Sequence, residues 1–253
     1  MCYDLDARPP LPPISGAAGD AGPLTLTSAD GTRFAAYSAR ADAPGGPGIL
    51  VLPDVRGLHP FFEELALRFA EAGVHATAID YFARTVDGSD RGAGFDHQSH
   101  VAQTSTETLY ADAAAAVAHL RSPEGGAAER VYGVGFCFGG RLSLLQATTG
   151  LGLAGVISFY GWPVGPHRTG LPAPADLASR FACPVLTVWG GADRGIGPEA
   201  IGQFGQAVAA AGVEHRSVVY PEAPHSFFDR TATEFALESE DAWRQMLEFM
   251  AVG

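Results

Sequence analysis

"RVYGVGFCFGGRLSLL", residues Arg130–Leu145, passes from an apolar β-rich run into a glycine cluster and then a helix-forming run, with one cysteine at the junction. A buried cysteine alone behaves as a small hydrophobe. That does not explain Gly135 and Gly139, two residues before and two after it. Where a strand turns sharply into a helix packed close against it, side chains at those two positions collide, and the residue at the tip stands out on a strained turn. This is the nucleophile-elbow pattern with cysteine in the serine position. The turn also puts the Phe138 backbone N–H at the positive end of the new helix, where it can stabilise an oxyanion, and the same dipole favours a thiolate. With 32 glycines in 253 residues, G-x-C-x-G is weak by itself. An inert cysteine at a tight turn competes with the reading of Cys137 as a nucleophile, so the rest of the chain decides.

Working outward, strands and helices alternate. "LTLTSADGTRFAAYSA" reads as two alternating strands joined at Ala29-Asp30-Gly31, an antiparallel hairpin. "GPGILVLPDV" is a continuous apolar run, as in a strand buried on both faces of a parallel sheet. "LHPFFEELALRFAEAGV" has helical spacing and ends at glycine. "HATAIDYF" follows as a strand, and "STETLYADAAAAVAHLRS" as a helix with a capping-box start. After the elbow come strands in "LAGVISFYG", "CPVLTVWGG" and "HRSVVYPEA", with helices in "PEAIGQFGQAVAAAG" and "TATEFALESEDAWRQMLEFMAV". This order predicts an α/β fold: a mostly parallel central sheet, helices on both faces and an N-terminal antiparallel hairpin. Residues 1–22, rich in Pro, Gly and Ala, read as an irregular arm before a single domain over 23–253. Arg84–Thr104 is a loop of roughly twenty residues, long enough to be lid-like. His97 and His100, beside Asp96, read as polar lid residues that contact substrate, since nothing there converges them on a metal.

Two further strand ends supply what a nucleophile needs. "VLTVWGGADRGI" delivers Asp193 just past a strand, and "VVYPEAPHSFF" delivers His225 past another. Nucleophile, acid and histidine in that order is the α/β-hydrolase order, and each lies beyond a strand's carboxyl end, where this fold places its sites. Singly, Asp193 could be a turn former and His225 a loop residue; together they form a constellation.

Composition narrows the partners. A net charge of −12 argues against nucleic acid and anionic membranes, although a few arginines in a pocket can still hold an acidic small molecule. All 16 basic residues are arginine. Three cysteines with no CxxC fit a reducing compartment, and the N-terminus lacks a basic-then-apolar leader, so a cytoplasmic protein is expected.

"PDVRGL", "IDYFAR", "GVGFCFGG", "GGADRGI" and "PEAPHSF" together resemble the dienelactone hydrolase (carboxymethylenebutenolidase) family, from about residue 25 to the C-terminus. The resemblance implies an α/β-hydrolase fold, no cofactor, no metal, and hydrolysis of a small ester or enol lactone. It implies Cys137 as nucleophile, His225 as base and Asp193 as the orienting acid. Where the family has a glutamate facing the resting thiol, this chain has Asp54, a shorter side chain; Val55 then supplies a second oxyanion N–H beside Phe138. The family clamps its substrate carboxylate with two arginines. Arg230 lies one residue beyond that pattern, and the other falls in the long-loop segment, where no residue can be matched. Arg56, Arg84 and Arg230 flank site-forming segments and are either surface residues or carboxylate ligands. Tyr160, Trp162 and Phe227 are expected to contact substrate, with core packing as the alternative for the aromatics; the remaining histidines and Cys183 read as structural. The expected function is an ester or lactone hydrolase acting through a cysteine acyl-enzyme, as a monomer or homodimer. A lactone isomerase or cyclase on the same elbow, or a small-molecule receptor with slow turnover, are the alternatives.

Overall fold

The structure is a computed structural model that describes residues 6–13, 18–86, 91–92, 94–167 and 169–251. Cys2 lies outside them, as do 87–90 and 93 of the long loop.

Strands β1 (Ala18–Thr27) and β2 (Arg33–Ala41) form the expected hairpin, and β3 (Pro47–Leu52), helix α1 (Pro60–Glu71) and β4 (His75–Ile79) follow. The chain continues through the short α2 (His97–Val101), α3 (Thr106–Arg121), β5 (Arg130–Phe136), α4 (Phe138–Gln146), β6 (Gly155–Phe159) and β7 (Val185–Gly190). It ends with α5 (Pro198–Ala210), β8 (His215–Tyr220) and α6 (Ala236–Phe249). The sheet order is β1-β2-β4-β3-β5-β6-β7-β8. β2 runs antiparallel to β1 and β4, and the strands from β4 to β8 are parallel.

Two details differ from the sequence reading. β1 begins at Ala18, inside the stretch read as an arm: its pairing with β2 runs back through Gly22↔Ser38 to Ala18↔Ala41, with an irregularity between Ala18 and Asp20. β1 is an edge strand, the kind of strand in which a proline such as Pro23 is accommodated. The long loop contains α2, capped by Asp96 through the Ser99 N–H. Five residues are too few to show a helical period.

The inner strands are mostly apolar because both faces are covered; every residue of β4, β6 and β7 is buried, the polar His75, Thr77, Ser158 and Thr187 included. β3 connects through α1 to β4 on one side, while β5 lies on its other side. The strand order therefore reverses between β3 and β5, the place where open α/β sheets leave a crevice at the carboxyl ends. The register pairs Leu52 of β3 with Gly135 of β5, so the residues following both strands emerge side by side. Those residues are Val55 and Cys137.

Candidate active site

The elbow has the geometry the glycines imply. Cys137 takes φ 55° and ψ −113° as the N-cap of α4, a conformation that costs a non-glycine residue about 1–3 kcal/mol. It is held there by its N–H donating to Phe159 O at 3.0 Å and its carbonyl accepting from the Arg141 N–H at 3.2 Å. A Cβ on Gly135 would lie 1.9 Å from Gly139 O, and one on Gly139 would lie 2.1 Å from both Leu52 O and Pro53 O. The strand, the helix and the end of β3 thus meet backbone to backbone. Gly135→Ala is expected to destabilise the fold by about 3–5 kcal/mol, since only backbone can give way. Gly202→Ala on α5, where an added Cβ meets nothing within 4 Å, is the control and should not destabilise. Urea denaturation of both variants checks this.

Past β7, Asp193 is buried and its Oδ1 accepts the N–H groups of Gly195 (2.7 Å) and Ile196 (3.2 Å). Its Oδ2 lies 2.6 Å from His225 Nδ1. Burial raises the Asp193 pKa, but the His225 hydrogen bond and charge, with the two N–H donors, outweigh it and hold the carboxyl below its usual value. A carboxylate in this position fixes the proton on Nδ1 and leaves Nε2 to accept. The Tyr160 ring packs 4.8 Å from the imidazole, and its hydroxyl donates to Asp229 Oδ2 at 2.8 Å. Tyr160 sits at φ 38° at the end of β6, so its placement is imposed by packing.

Cys137 and His225 line one cavity of 300 Å³, together with Val55, Phe138, Tyr160 and Trp162. Arg141, Pro166 and His167 complete its wall. A second, open cavity of 590 Å³ shares Trp162 and His225 with the first and carries the exposed Arg194 and Arg230.

The structure does not bring every sequence-predicted residue to the cavity. Asp54 is fully buried; Oδ1 accepts the Arg56 N–H at 2.9 Å and lies 3.6 Å from His59 Nε2, while Oδ2 has no hydrogen-bond partner among the described residues. It does not line the cavity. Arg56 is also buried, and its guanidinium donates to Arg91 O at 3.2 Å and Gly92 O at 3.4 Å, bracing the long loop. Arg91 in turn pairs with buried Asp80 at the end of β4. Arg84 grips Asp112 of α3 with Nε at 3.0 Å and a terminal nitrogen at 2.7 Å, and reaches Asp30 of the β1–β2 turn at 2.6 Å. As a substrate ligand Arg84 is misplaced: two carboxylates remote in sequence take its whole fork. His100 stacks on Phe95 at 5.0 Å and bonds Thr85 Oγ1 at 2.8 Å. Neither His97 nor His100 lines the cavity, and no described cluster of His, Cys, Asp and Glu could hold a metal ion. Phe227 is buried in the core, against Tyr160 and Tyr220.

Three lining residues, Arg141, Pro166 and His167, escaped the sequence reading. His167, read as an ordinary loop residue, stands 5.3 Å from the Phe138 ring at the cavity. Arg141, on the second turn of α4, is buried, and its terminal nitrogens meet four backbone carbonyls. A full positive charge inside a nine-residue apolar helix was the available signal. Other histidines hold structure: His75 Nδ1 accepts from the Ala41 N–H at 3.1 Å and Nε2 reaches Gly45 O at 2.9 Å, while His215 bonds Thr187 Oγ1 at 2.9 Å. Burial pushes the pKa of both down.

Comparison with known proteins agrees with this architecture. Residues 34–252 match the dienelactone hydrolase family. A Salmonella typhimurium (strain LT2) protein named "Putative carboxymethylenebutenolidase" is 32% identical over 238 residues, covering 90% of this chain and 86% of the relative. A Rhodococcus opacus carboxymethylenebutenolidase is 28% identical over 259 residues, 98% of this chain and 96% of its own. The solved structure described as a "Putative Dienelactone Hydrolase" from Klebsiella pneumoniae superposes with a TM-score of 0.75 at 28% identity, over 92% of this chain and 99% of that one. Among the described residues no helix is long and apolar enough to cross a membrane. A family match over most of the chain, on a sheet of the α/β-hydrolase kind, makes this protein a member of the dienelactone hydrolase family, hydrolases of lactones and esters.

Proposed function

We propose that this protein opens a small ester or enol lactone through an acyl-thioester on Cys137, without a cofactor. The carrying observation is the convergence of a strained cysteine at a helix N-terminus with a histidine already oriented by a buried carboxylate, both on one 300 Å³ cavity. His225 Nε2 takes the thiol proton as sulfur adds to the carbonyl carbon. The Phe138 N–H, at the start of α4, and the Val55 N–H beside it are the donors for the resulting oxyanion. Collapse breaks the acyl carbon–oxygen bond, and His225 returns the proton to the departing alkoxide or enolate. Water then gives a proton to His225 as its oxygen attacks the thioester; the carboxylic acid leaves and sulfur recovers its proton. Asp193 stays ionised throughout and stabilises the imidazolium.

The test is rapid quenching of the protein with an activated ester, followed by peptide mass spectrometry. An acyl adduct on the peptide holding Cys137, formed and lost at the turnover rate, is expected. Turnover with the adduct absent, or on another residue, overturns the mechanism.

Substrate charge follows from the second cavity. Arg230 is exposed there, so a carboxylate it holds is screened by water, and about fivefold is the expected loss of kcat/KM in Arg230→Ala. The loss should appear with a lactone carboxylate and vanish with its methyl ester. Equal treatment of acid and ester by mutant and parent would assign Arg230 to the surface.

A further inference from the structure

Arg141 has no place in that reaction, yet it is fully buried four residues after the nucleophile. One terminal nitrogen donates to Trp162 O at 3.1 Å; the other donates to Gly165 O at 2.9 Å, Leu171 O at 3.1 Å and Pro172 O at 2.8 Å. No carboxylate lies within ion-pair distance of it among the described residues. Burying a cation is costly unless its donors meet acceptors; here carbonyl dipoles take both terminal nitrogens, while the buried Nε has no hydrogen-bond partner among the described residues. All four carbonyls come from one segment, 161–172, which follows β6 and whose described residues, all but 168, lie outside helix and strand. Burial pushes the Arg141 pKa down to about 10, so the guanidinium stays charged at neutral pH.

That segment supplies Trp162, Pro166 and His167 to the cavity wall. Its first residue is seated on α4 by backbone contact: a Cβ on Gly140 would lie 2.6 Å from Phe159 O and 2.8 Å from Gly161 Cα. Beyond it, the segment is anchored by buried Leu171 and by the Ala175 N–H donating to Pro163 O at 3.0 Å, and the guanidinium is the group that ties both of its ends to α4. We propose that Arg141 is a specificity-determining positioning residue, a fork that holds segment 161–172 against the elbow helix and so sets how bulky a group can stand beside Cys137. Only arginine suits the position, because two nitrogens at fixed separation serve carbonyls ten residues apart, which a lysine point charge cannot do.

The proposal rests on Cys137 facing the cavity, and its size-selecting consequence for catalysis rests on the reading above. Alkylation of Cys137 separates the two, since it needs no hydrolysis. The rates of a small reagent, iodoacetamide, and a bulky one, N-(1-pyrenyl)maleimide, are measured at Cys137 by peptide mass spectrometry in the parent, Arg141→Ala and Arg141→Lys. In Arg141→Ala the bulky-to-small rate ratio should rise at least fivefold, with Arg141→Lys between it and the parent. Guanidinium at millimolar concentration should return the alanine variant towards the parent ratio by refilling the site. If Arg141→Ala does not fold, the shifted ratio in Arg141→Lys carries the test. A ratio equal to the parent's in the folded variants, or both rates rising together, overturns the proposal. On esters, the same variants should change KM for a branched or aryl acyl group more than for acetyl. A parent that hydrolyses neither ester would sink the hydrolytic reading, while the alkylation ratio would still judge Arg141.

Discussion

Cys137→Ala will lose at least about 10⁴-fold in kcat on any ester the parent turns over, the scale seen when the nucleophile of an acyl-transfer site is removed. The loss will come without loss of fold. Alanine takes the same tight turn at φ 55°, and Cys137 is only partly buried, so thermal unfolding should shift little. Cys137→Ser should recover a small part of the activity. Its oxygen sits closer to the backbone than sulfur, and a hydroxyl needs a stronger base than a thiol. Iodoacetamide should block Cys137 ahead of Cys183, which is buried at the start of β7 with its thiol pKa pushed up to about 11 by desolvation. Steady-state kinetics beside circular dichroism decide the matter. Full activity in Cys137→Ala would end the acyl-thioester mechanism.

The second large effect belongs to the histidine and its carboxylate. His225→Ala should cost about 10²–10⁴-fold in kcat/KM, the range for losing a positioned general base. Asp193→Asn should approach the same loss, because an amide can present its NH₂ to Nδ1 and turn the imidazole to the tautomer that cannot accept at Nε2. Asp193 also has a stability signature. Its folded pKa lies below the unfolded value, so the ionised form stabilises the fold above the carboxylate range, and that contribution is lost as pH falls through the folded pKa. The Tm difference between parent and Asp193→Asn should therefore be largest near neutral pH and shrink below the unfolded carboxylate pKa. A difference that is flat through the acid limb would mean that His225 and the two N–H donors do not hold the carboxylate ionised. If Glu222→Gln rather than Asp193→Asn abolished turnover, the acid would be wrongly assigned.

Much of this protein is local and therefore legible in its sequence. Strand–helix alternation, the mostly apolar inner strands and the hairpin at Asp30-Gly31 each follow from residues a few positions apart. The elbow is local as well. Gly135 and Gly139 are required by a clash between neighbours in the chain, so their spacing around Cys137 carries the geometry with it. Asp193 and His225 were legible because each follows a strand end, and parallel strands bring their carboxyl ends to one edge of the sheet.

The fate of the charged residues was not local. Arg84 looks like a loop-edge arginine until α3 places Asp112 and the first turn places Asp30 against it. Arg56 turns inward to carbonyls thirty-five residues away, and Arg141 finds its four acceptors between positions 162 and 172. A guanidinium goes where acceptors are dense, and which carbonyls or carboxylates stand there is settled only when separate segments pack. The sequence by itself determined the sheet, the elbow and the order of cysteine, aspartate and histidine, because close neighbours and strand ends impose them. The tertiary structure alone decided which arginines brace the molecule, which face solvent, and which segment walls the cavity, because a charge's partner is chosen by proximity in space.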